Sequence, residues 1–290
     1  MKILVSGITG FIGRQLGHSL LDQGHRVVGV SRQESPDIGL CGRNRFDIVS
    51  LDLQSKNLLG KLPNDVECIF NYAALLTENH GFSDLVLNNV LTTYNLFEYA
   101  KKISATFIQA STGSVYSWDD LSHTIDENVR PSPYTKYGLS KYLADNIIKT
   151  QCEHANNKAY ILRFPIIFDS QGKGNIVSEL YGYASNGENI RLTANAADRK
   201  INIIHVRDVV NANISLMLKS NQIESGEVFL VGSNKSIKVS RLAEKIIEDL
   251  ESQSDVEIKR SYDEAPPNVI WDTSKTENIL EINPRLRKFS

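Results

Sequence analysis

The chain has 290 residues, 41% of them hydrophobic, which suits a full buried core in one large domain or two closely joined ones. A formal net charge of -2, with no broad basic face, argues against nucleic acid or an anionic membrane surface as the main partner, so any anionic ligand has to be held by local features. Three widely spaced cysteines, Cys41, Cys68 and Cys152, form no Cys-x-x-Cys or Cys/His cluster, which fits a reduced intracellular protein with no structural metal.

The opening MKILVSG has only a short apolar run before its glycine, too short for the core of a signal peptide, and no later run approaches a membrane span; the expected location is the cytoplasm. Short apolar runs at 2–6, 26–30, 46–51, 68–74, 105–111 and 159–164 read as buried parallel strands. Helical patterns fall between them, at IGRQLGHSLLDQG with Gly24 as its C-terminal cap and at LVLNNVLTTYNLFEYAKK. Alternation of this kind predicts an α/β fold, a doubly wound parallel sheet of Rossmann type. After Phe164 the rhythm loosens into a loop-flanked helix within 172–190, a strand leading into a helix over 201–219, a strand within GEVFLVGS, the helix VSRLAEKIIEDLE and a polar tail. The expected division is a dinucleotide-binding domain at 1–163, with 201–232 interleaved, and a smaller substrate lobe from 164–200 and 233–290.

The segment VSGITGFIG places Gly7, Gly10 and Gly13 directly after the first strand and at the start of a helix. Small residues there let the chain turn tightly and let a pyrophosphate approach helix N–H groups whose dipole favours an anion. The spacing GxxGxxG resembles that of the extended short-chain dehydrogenase/reductase family. Further points of likeness are Asp52 in LDL, the NYAA segment after the fourth strand, and NNVLTTYNLFEYAK, with Asn89 at the family's motif asparagine and Thr92 in place of its glycine. At the end of the second strand stand Val30, Ser31 and Arg32, with no carboxylate. An arginine there pairs with a 2′-phosphate and the serine can donate to it, so NADP is the expected cofactor, with NAD as the alternative.

Of the eleven tyrosines only Tyr137 has a lysine four positions later, Lys141. Such a pair arises about 0.7 times by chance in a chain of this composition, so context has to carry it. Ser132 and Pro133 suit the cap and first turn of a helix, and i, i+4 spacing then puts Tyr137 and Lys141 on one face. A lysine so placed can hold a nicotinamide ribose and lower the tyrosine pKa, making the phenol a proton donor or acceptor near neutral pH. Tyr134 and Tyr142 lack that partner and read as packing residues. The segment ASTGSVYS resembles the family's serine/threonine motif at the end of the fifth strand; aligned on Val115 and Tyr116, the catalytic hydroxyl falls on Thr112, ahead of Ser111 and Ser114.

LRFPIIFD, IHVRDVVNA and WDTSKTENIL are similar to segments of the nucleotide-sugar branch, the NAD-dependent epimerases and dehydratases. Departures are Ile166 and Asp169 in the first of these, and Arg199, which lies two residues ahead of the branch's usual arginine, where this chain has Ile201. The resemblance implies catalysis by Thr112, Tyr137 and Lys141. It implies cofactor contacts from Gly7, Gly10, Phe11, Ile12, Gly13, Ser31, Arg32, Asp52, Leu53, Ala73, Asn89, Tyr137, Lys141 and Phe164, and substrate contacts from Thr112, Asn175 and Arg199. Dehydratases of this branch carry an Asp-Glu pair after the catalytic threonine; Gly113 and Ser114 stand here, which disfavours dehydration. The expected reaction is NADPH-dependent reduction of a nucleotide-linked 4-keto-6-deoxy sugar, as in surface-polysaccharide synthesis. The alternatives are an NAD-dependent nucleotide-sugar 4-epimerase, a non-sugar carbonyl reductase and an NADP-binding sensor. Members of the family often form homodimers through the helix that carries the Tyr137/Lys141 pair and the LVLNNVLTTYNLFEYAKK helix, and a homodimer is expected.

Overall fold

The computed structural model describes the chain except residues 35, 56–57, 77–79, 118–123, 170–173, 261–267, 285–286 and 290. Part of the predicted loop before the 172–190 helix and part of the predicted polar tail therefore lie outside the described residues. By contacts the chain forms two compact units, Met1–Tyr116 with Arg130–Arg163 and Val210–Phe229, and Ser117–Val129 with Phe164–Val209 and Leu230–Ser290.

The first unit is built on the strands β1 (Lys2–Ser6), β2 (Arg26–Ser31), β3 (Phe46–Ser50), β4 (Cys68–Asn71), β5 (Thr106–Thr112) and β6 (Ala159–Phe164). They lie in the order β6-β5-β4-β1-β2-β3, with a seventh strand, Val228–Leu230, beyond β6. β1 runs parallel to β2 on one side and β4 on the other, and the order reverses between them. That reversal opens a crevice at the carboxyl ends of the strands, where ligands of such sheets bind. The predicted run 68–74 leaves the sheet after Asn71 because the N–H groups of Tyr72 and Ala73 both go to the Ser6 hydroxyl, each at 3.1 Å.

Helix α1 (Phe11–Asp22) ends as its glycine implies. Gly24 takes a φ of 82°, its N–H reaches the Leu21 carbonyl at 2.9 Å, and the His25 N–H reaches that of Leu20 at 3.1 Å. The predicted 85–102 helix is a composite of α2 (Phe82–Leu85), a π-helical stretch Val86–Leu91 and α3 (Thr92–Lys102). Thr92 Oγ1 donates to the carbonyl five residues back, on Leu87, at 3.3 Å, across the wider turn. Leu96, Phe97 and Ala100 turn inward, and Phe97 meets Phe107 of β5 with ring centroids 5.2 Å apart.

Helix α4 (Lys136–Cys152) starts later than the Ser132 and Pro133 pattern predicts. The Ser132 N–H is bonded to the Val115 carbonyl at 2.9 Å, which holds that stretch in an extended path. Thr135 caps the helix instead, its hydroxyl accepting the Gly138 N–H at 2.9 Å.

The second unit holds β7 (Ile166–Phe168), α5 (Ile176–Ser185), β8 (Ile190–Thr193), α6 (Ala194–Asp198), β9 (Lys200–Ile201) and β10 (Ile203–His205). The chain then returns to the first unit, which holds most of helix α7 (Val206–Lys219) and of β11 (Val228–Leu230), before β12 (Ile237–Lys238), α8 (Val239–Asp249), β13 (Val256–Lys259) and α9 (Ser274–Leu280) complete the second. β13 and α9 occupy what reads in the sequence as a polar tail. Three two-stranded ladders, β7 with β10, β9 with β12 and β8 with β13, surround a core containing Phe168, Leu180, Ile201, Leu242, Ile246 and Phe289. Among the described residues no helix is long and apolar enough to cross a membrane.

Candidate active site

The glycine loop is sterically obligate. A methyl group on Gly7, whose φ is 65°, would come within 2.5 Å of the Tyr72 carbonyl oxygen, and one on Gly13 within 2.2 Å of the Gly7 carbonyl oxygen. No side chain can occupy that approach, so the mouth of α1 stays open to a ligand. Phe11 and Ile12 form its first turn, half-buried. A cleft of about 200 Å³ opens there, lined by Gly7, Gly10, Ser31, Arg32, Asp52, Leu53 and Ala73 among the predicted cofactor residues. Thr9, Tyr72, Asn88 and Thr92, which stand in the quoted motifs, line it as well, as do Gln54 and Leu75, which no motif marks. The Asp52 carboxylate accepts the Gln54 N–H at 3.0 Å, and the Leu53 carbonyl accepts from Asn95 Nδ2 at 2.8 Å, so the acidic turn is pinned to α3. The Ser31 hydroxyl accepts the Gln33 N–H at 2.9 Å, which leaves its proton directed elsewhere. An open α1 terminus, a cleft walled by four strand ends and a cation at Arg32 fit a dinucleotide.

Buried amides and hydroxyls run from this cleft to α4. Ser6 Oγ donates to Asn71 Oδ1 at 2.6 Å, and Asn71 Nδ2 donates to Thr93 at 3.0 Å and Gln109 at 2.8 Å. Thr93 Oγ1 donates to the Asn89 carbonyl at 2.7 Å, Asn89 Nδ2 to Ser140 Oγ at 2.9 Å, and Ser140 Oγ to the Tyr137 carbonyl at 2.8 Å. Asn89 also accepts the Leu75 N–H and donates to the Leu75 carbonyl, at 2.7 and 3.0 Å. Both of its N–H hydrogens are thus used inside the protein. Asn89 acts as a clamp between the Leu75 loop and α4 rather than through an amide N–H aimed at a cofactor.

Thr112 ends β5 and is half-buried; its Oγ1 accepts the Ser114 N–H at 3.2 Å. Ser111, one residue earlier, points the other way into the protein and donates to Asp145 Oδ2 at 2.9 Å. That alternation turns Ser111 inward and leaves Thr112, with Ser114 at its side, as the candidate hydroxyl. Tyr137 and Lys141 lie one turn apart on α4, Tyr137 half-buried and Lys141 only 2% exposed. Burial pulls the Lys141 ammonium down to about 8, against the opposing pull of Asp145. Gly138 sets how closely this helix meets β5, since a methyl there would lie 2.1 Å from the Ser114 carbonyl oxygen. Neither Gly138 nor Asp145 belongs to the residues singled out by motif. Tyr134 is exposed and Tyr142 half-buried.

In the second unit, Asn175 is the N-cap of α5: its Oδ1 accepts the Ser178 N–H at 3.1 Å and its Nδ2 donates to the Ile167 carbonyl at 3.0 Å. Arg199 is half-buried and lies just outside β9, while Ile201 is buried in that unit's core. Arg199 follows α6 with extended backbone, φ -58° and ψ 130°, and its carbonyl accepts the Val239 N–H at 3.0 Å, one step beyond the β9–β12 register. Phe164 closes β6 and is 3% exposed.

Residues 3–232 match the profile of the NAD dependent epimerase/dehydratase family. A Bacillus subtilis protein described as an uncharacterized UDP-glucose epimerase is 24% identical, covering 98% of this chain and 93% of its own. UDP-glucuronic acid decarboxylase 1 of Arabidopsis thaliana is also 24% identical, over 99% of this chain and 67% of its own. Among solved structures, UDP-glucuronic acid 4-epimerase from Bacillus cereus, in complex with UDP-glucuronic acid and NAD, superposes with a TM-score of 0.85 at 22% identity, covering 99% of this chain and 95% of that one. UDP-glucose 4-epimerase from Thermotoga maritima, with UDP-glucose, gives 0.84 at 22% identity over 99% and 94%. The chain belongs to the NAD dependent epimerase/dehydratase family, enzymes of the extended short-chain dehydrogenase type built on a Rossmann sheet.

Proposed function

We propose that the protein is a nucleotide-sugar 4-epimerase working on a UDP-linked hexose or hexuronic acid. The observation that carries the reading is the buried Lys141, with its pKa near 8, one turn beyond Tyr137 on a helix packed against the β5 end that bears Thr112. When bound, the nicotinamide supplies a reversible hydride acceptor. Tyr137 takes the proton of the sugar 4-hydroxyl as that carbon is oxidised and returns it when the carbon is reduced on its other face. Thr112 donates to the same oxygen and holds it, while the Lys141 charge keeps the phenolate accessible near neutral pH. Asn175, through the terminus of α5, and Arg199 are the candidate contacts to the sugar nucleotide.

Similarity to 4-epimerases over more than nine-tenths of two solved chains supports this reading over simple reduction. Gly113 and Ser114, in place of an acid pair, weigh against dehydration. A second reading, an NADPH-dependent reductase of a 4-keto sugar, is favoured by Arg32 and Ser31 at the adenine-ribose end of the cleft, where no carboxylate stands on β2. Identifying the nucleotide that co-purifies with the protein separates the two. Tightly held NAD supports the epimerase; an empty site that takes up NADPH weakly and selectively supports the reductase. We also infer a cytoplasmic homodimer, its surface supplied by the exposed Phe82, Leu87, Tyr94, Leu139 and Leu143 of the α2–α3 composite and α4.

A further inference from the structure

Behind Lys141 lies a charged group that the proposed mechanism does not use. Asp145, one turn further along α4, is fully buried. Its Oδ2 accepts from Ser111 Oγ at 2.9 Å and from Arg163 Nε and Nη2 at 3.2 and 3.1 Å. Arg163, itself 2% exposed, donates through Nη1 to the Tyr116 hydroxyl at 2.8 Å, and its guanidinium sits 5.3 Å from the centre of that ring. Asp145 Oδ1 is buried too and takes no hydrogen bond. A buried pair with a half-unsatisfied carboxylate is a poor way to stabilise a fold, and apolar residues of the same volume commonly do as well or better. Retaining it here calls for another use.

We propose that Asp145 is a positioning residue for the active site: its carboxylate, anchored by Ser111 and Arg163, is the counter-charge that keeps the Lys141 ammonium charged and oriented one turn from Tyr137. The assignment rests on the reading of Tyr137 as the acid-base group. Three observations meet in it. Spacing i, i+4 sets Lys141 and Asp145 on one helix face, a lysine 2% exposed needs an opposing charge, and Oδ1 is the one buried carboxylate oxygen of the pair with its bonding capacity left open. The ionisable groups that bear on the pair are Tyr137 on α4 itself, Arg163 on β6 and Tyr116 beyond β5; Ser111 on β5, and Asn89 and Ser140 at the π-helical contact, do not titrate. Asp145 pulls Lys141 upward while burial pulls it down, which agrees with the assignment. Burial raises the Asp145 carboxyl, with Arg163, Lys141 and Ser111 acting against it; burial also works against the Arg163 charge, which Asp145 and Tyr116 together more than restore.

The test needs no sugar substrate. Near-ultraviolet tyrosinate absorbance is titrated in the full-length, cofactor-loaded protein and in its Tyr137→Phe counterpart; the difference gives the midpoint of Tyr137 alone. The measurement is repeated in Asp145→Asn. It is repeated as well in Asp145→Asn/Arg163→Met, which removes both charges and so folds where the single variant leaves an unpaired guanidinium. The expected result is a parent midpoint well below that of free tyrosine, raised by about one pH unit in the double variant. In a Lys141→Met background the same change should move the midpoint by less than a third as much, because Asp145 acts through Lys141. A lowered parent midpoint that the Asp145 variants leave in place, or that they move equally with and without Lys141, overturns the assignment. A parent midpoint at the free-tyrosine value sinks the acid-base reading of Tyr137, and this inference with it.

Discussion

Tyr137 and Lys141 make separable predictions. Replacing Tyr137 with Phe removes one hydroxyl from a half-buried position and leaves the glycine cleft intact. Turnover should fall by about 100- to 10,000-fold, the usual weight of a positioned acid-base group, with cofactor affinity within a few-fold of the parent. Steady-state kinetics and a cofactor titration on the same preparation check both halves. Lys141 carries a stability cost. Its folded pKa of about 8 lies below its ordinary 10.5, so between those values the unfolded chain binds more protons than the folded one, and the parent gains stability as pH rises through that window. Below pH 8 the full cost is present. Lys141→Met should therefore be inactive yet more stable than the parent at pH 7, by about 2 to 3 kcal/mol, with the gap narrowing toward pH 10. Denaturant unfolding at both pH values would show it; a variant less stable than the parent at pH 7 would mean that Lys141 is better compensated than its burial implies.

At the scale of elements, the site depends on how closely two of them approach. α4 meets the end of β5 only because position 138 has no side chain. Gly138→Ala should force the helix outward from Ser114, costing about 1 to 3 kcal/mol and reducing turnover more than a cap substitution such as Thr135→Ala, which costs about 1 kcal/mol. Thermal unfolding and kcat measured on the two variants decide it; equal losses of turnover would detach Gly138 from catalysis. The strands β1 to β6, α1 and α3 are legible in the sequence because each carries a complete local signal: an apolar run of strand length, a glycine cap, a helical apolar face. Where an element's end is fixed by a distant partner, sequence alone misplaces it. α4 starts at Lys136 because Val115 holds Ser132, and β4 stops at Asn71 because Ser6 takes the next two N–H groups. The same holds for the site. Gly7, Thr112, Tyr137 and Lys141 stand in motifs, whereas Gly138 and Asp145 matter through Ser114, Ser111 and Arg163, residues remote in the chain. β13 and α9 were hidden by the polar composition of their segment, since β13 pairs with β8 through backbone bonds that composition does not encode.

For the whole molecule, the exposed apolar side chains on α4 and the α2–α3 composite bear on assembly. Replacing both Leu139 and Leu143 with Asp should turn a dimer into a monomer in light scattering, with secondary structure kept; a parent that is already monomeric at micromolar concentration would remove the homodimer from the account. The overall chemistry is reached most directly by following the sugar. UDP-glucuronic acid and UDP-glucose are each incubated with the purified protein and no added cofactor, and inversion at C4 is followed by proton nuclear magnetic resonance together with nicotinamide absorbance. The predicted result is interconversion of the two C4 epimers to equilibrium over many turnovers, with no net change in the nicotinamide. Failure to invert either sugar, combined with stoichiometric consumption of NADPH on a 4-keto nucleotide sugar, would contradict it.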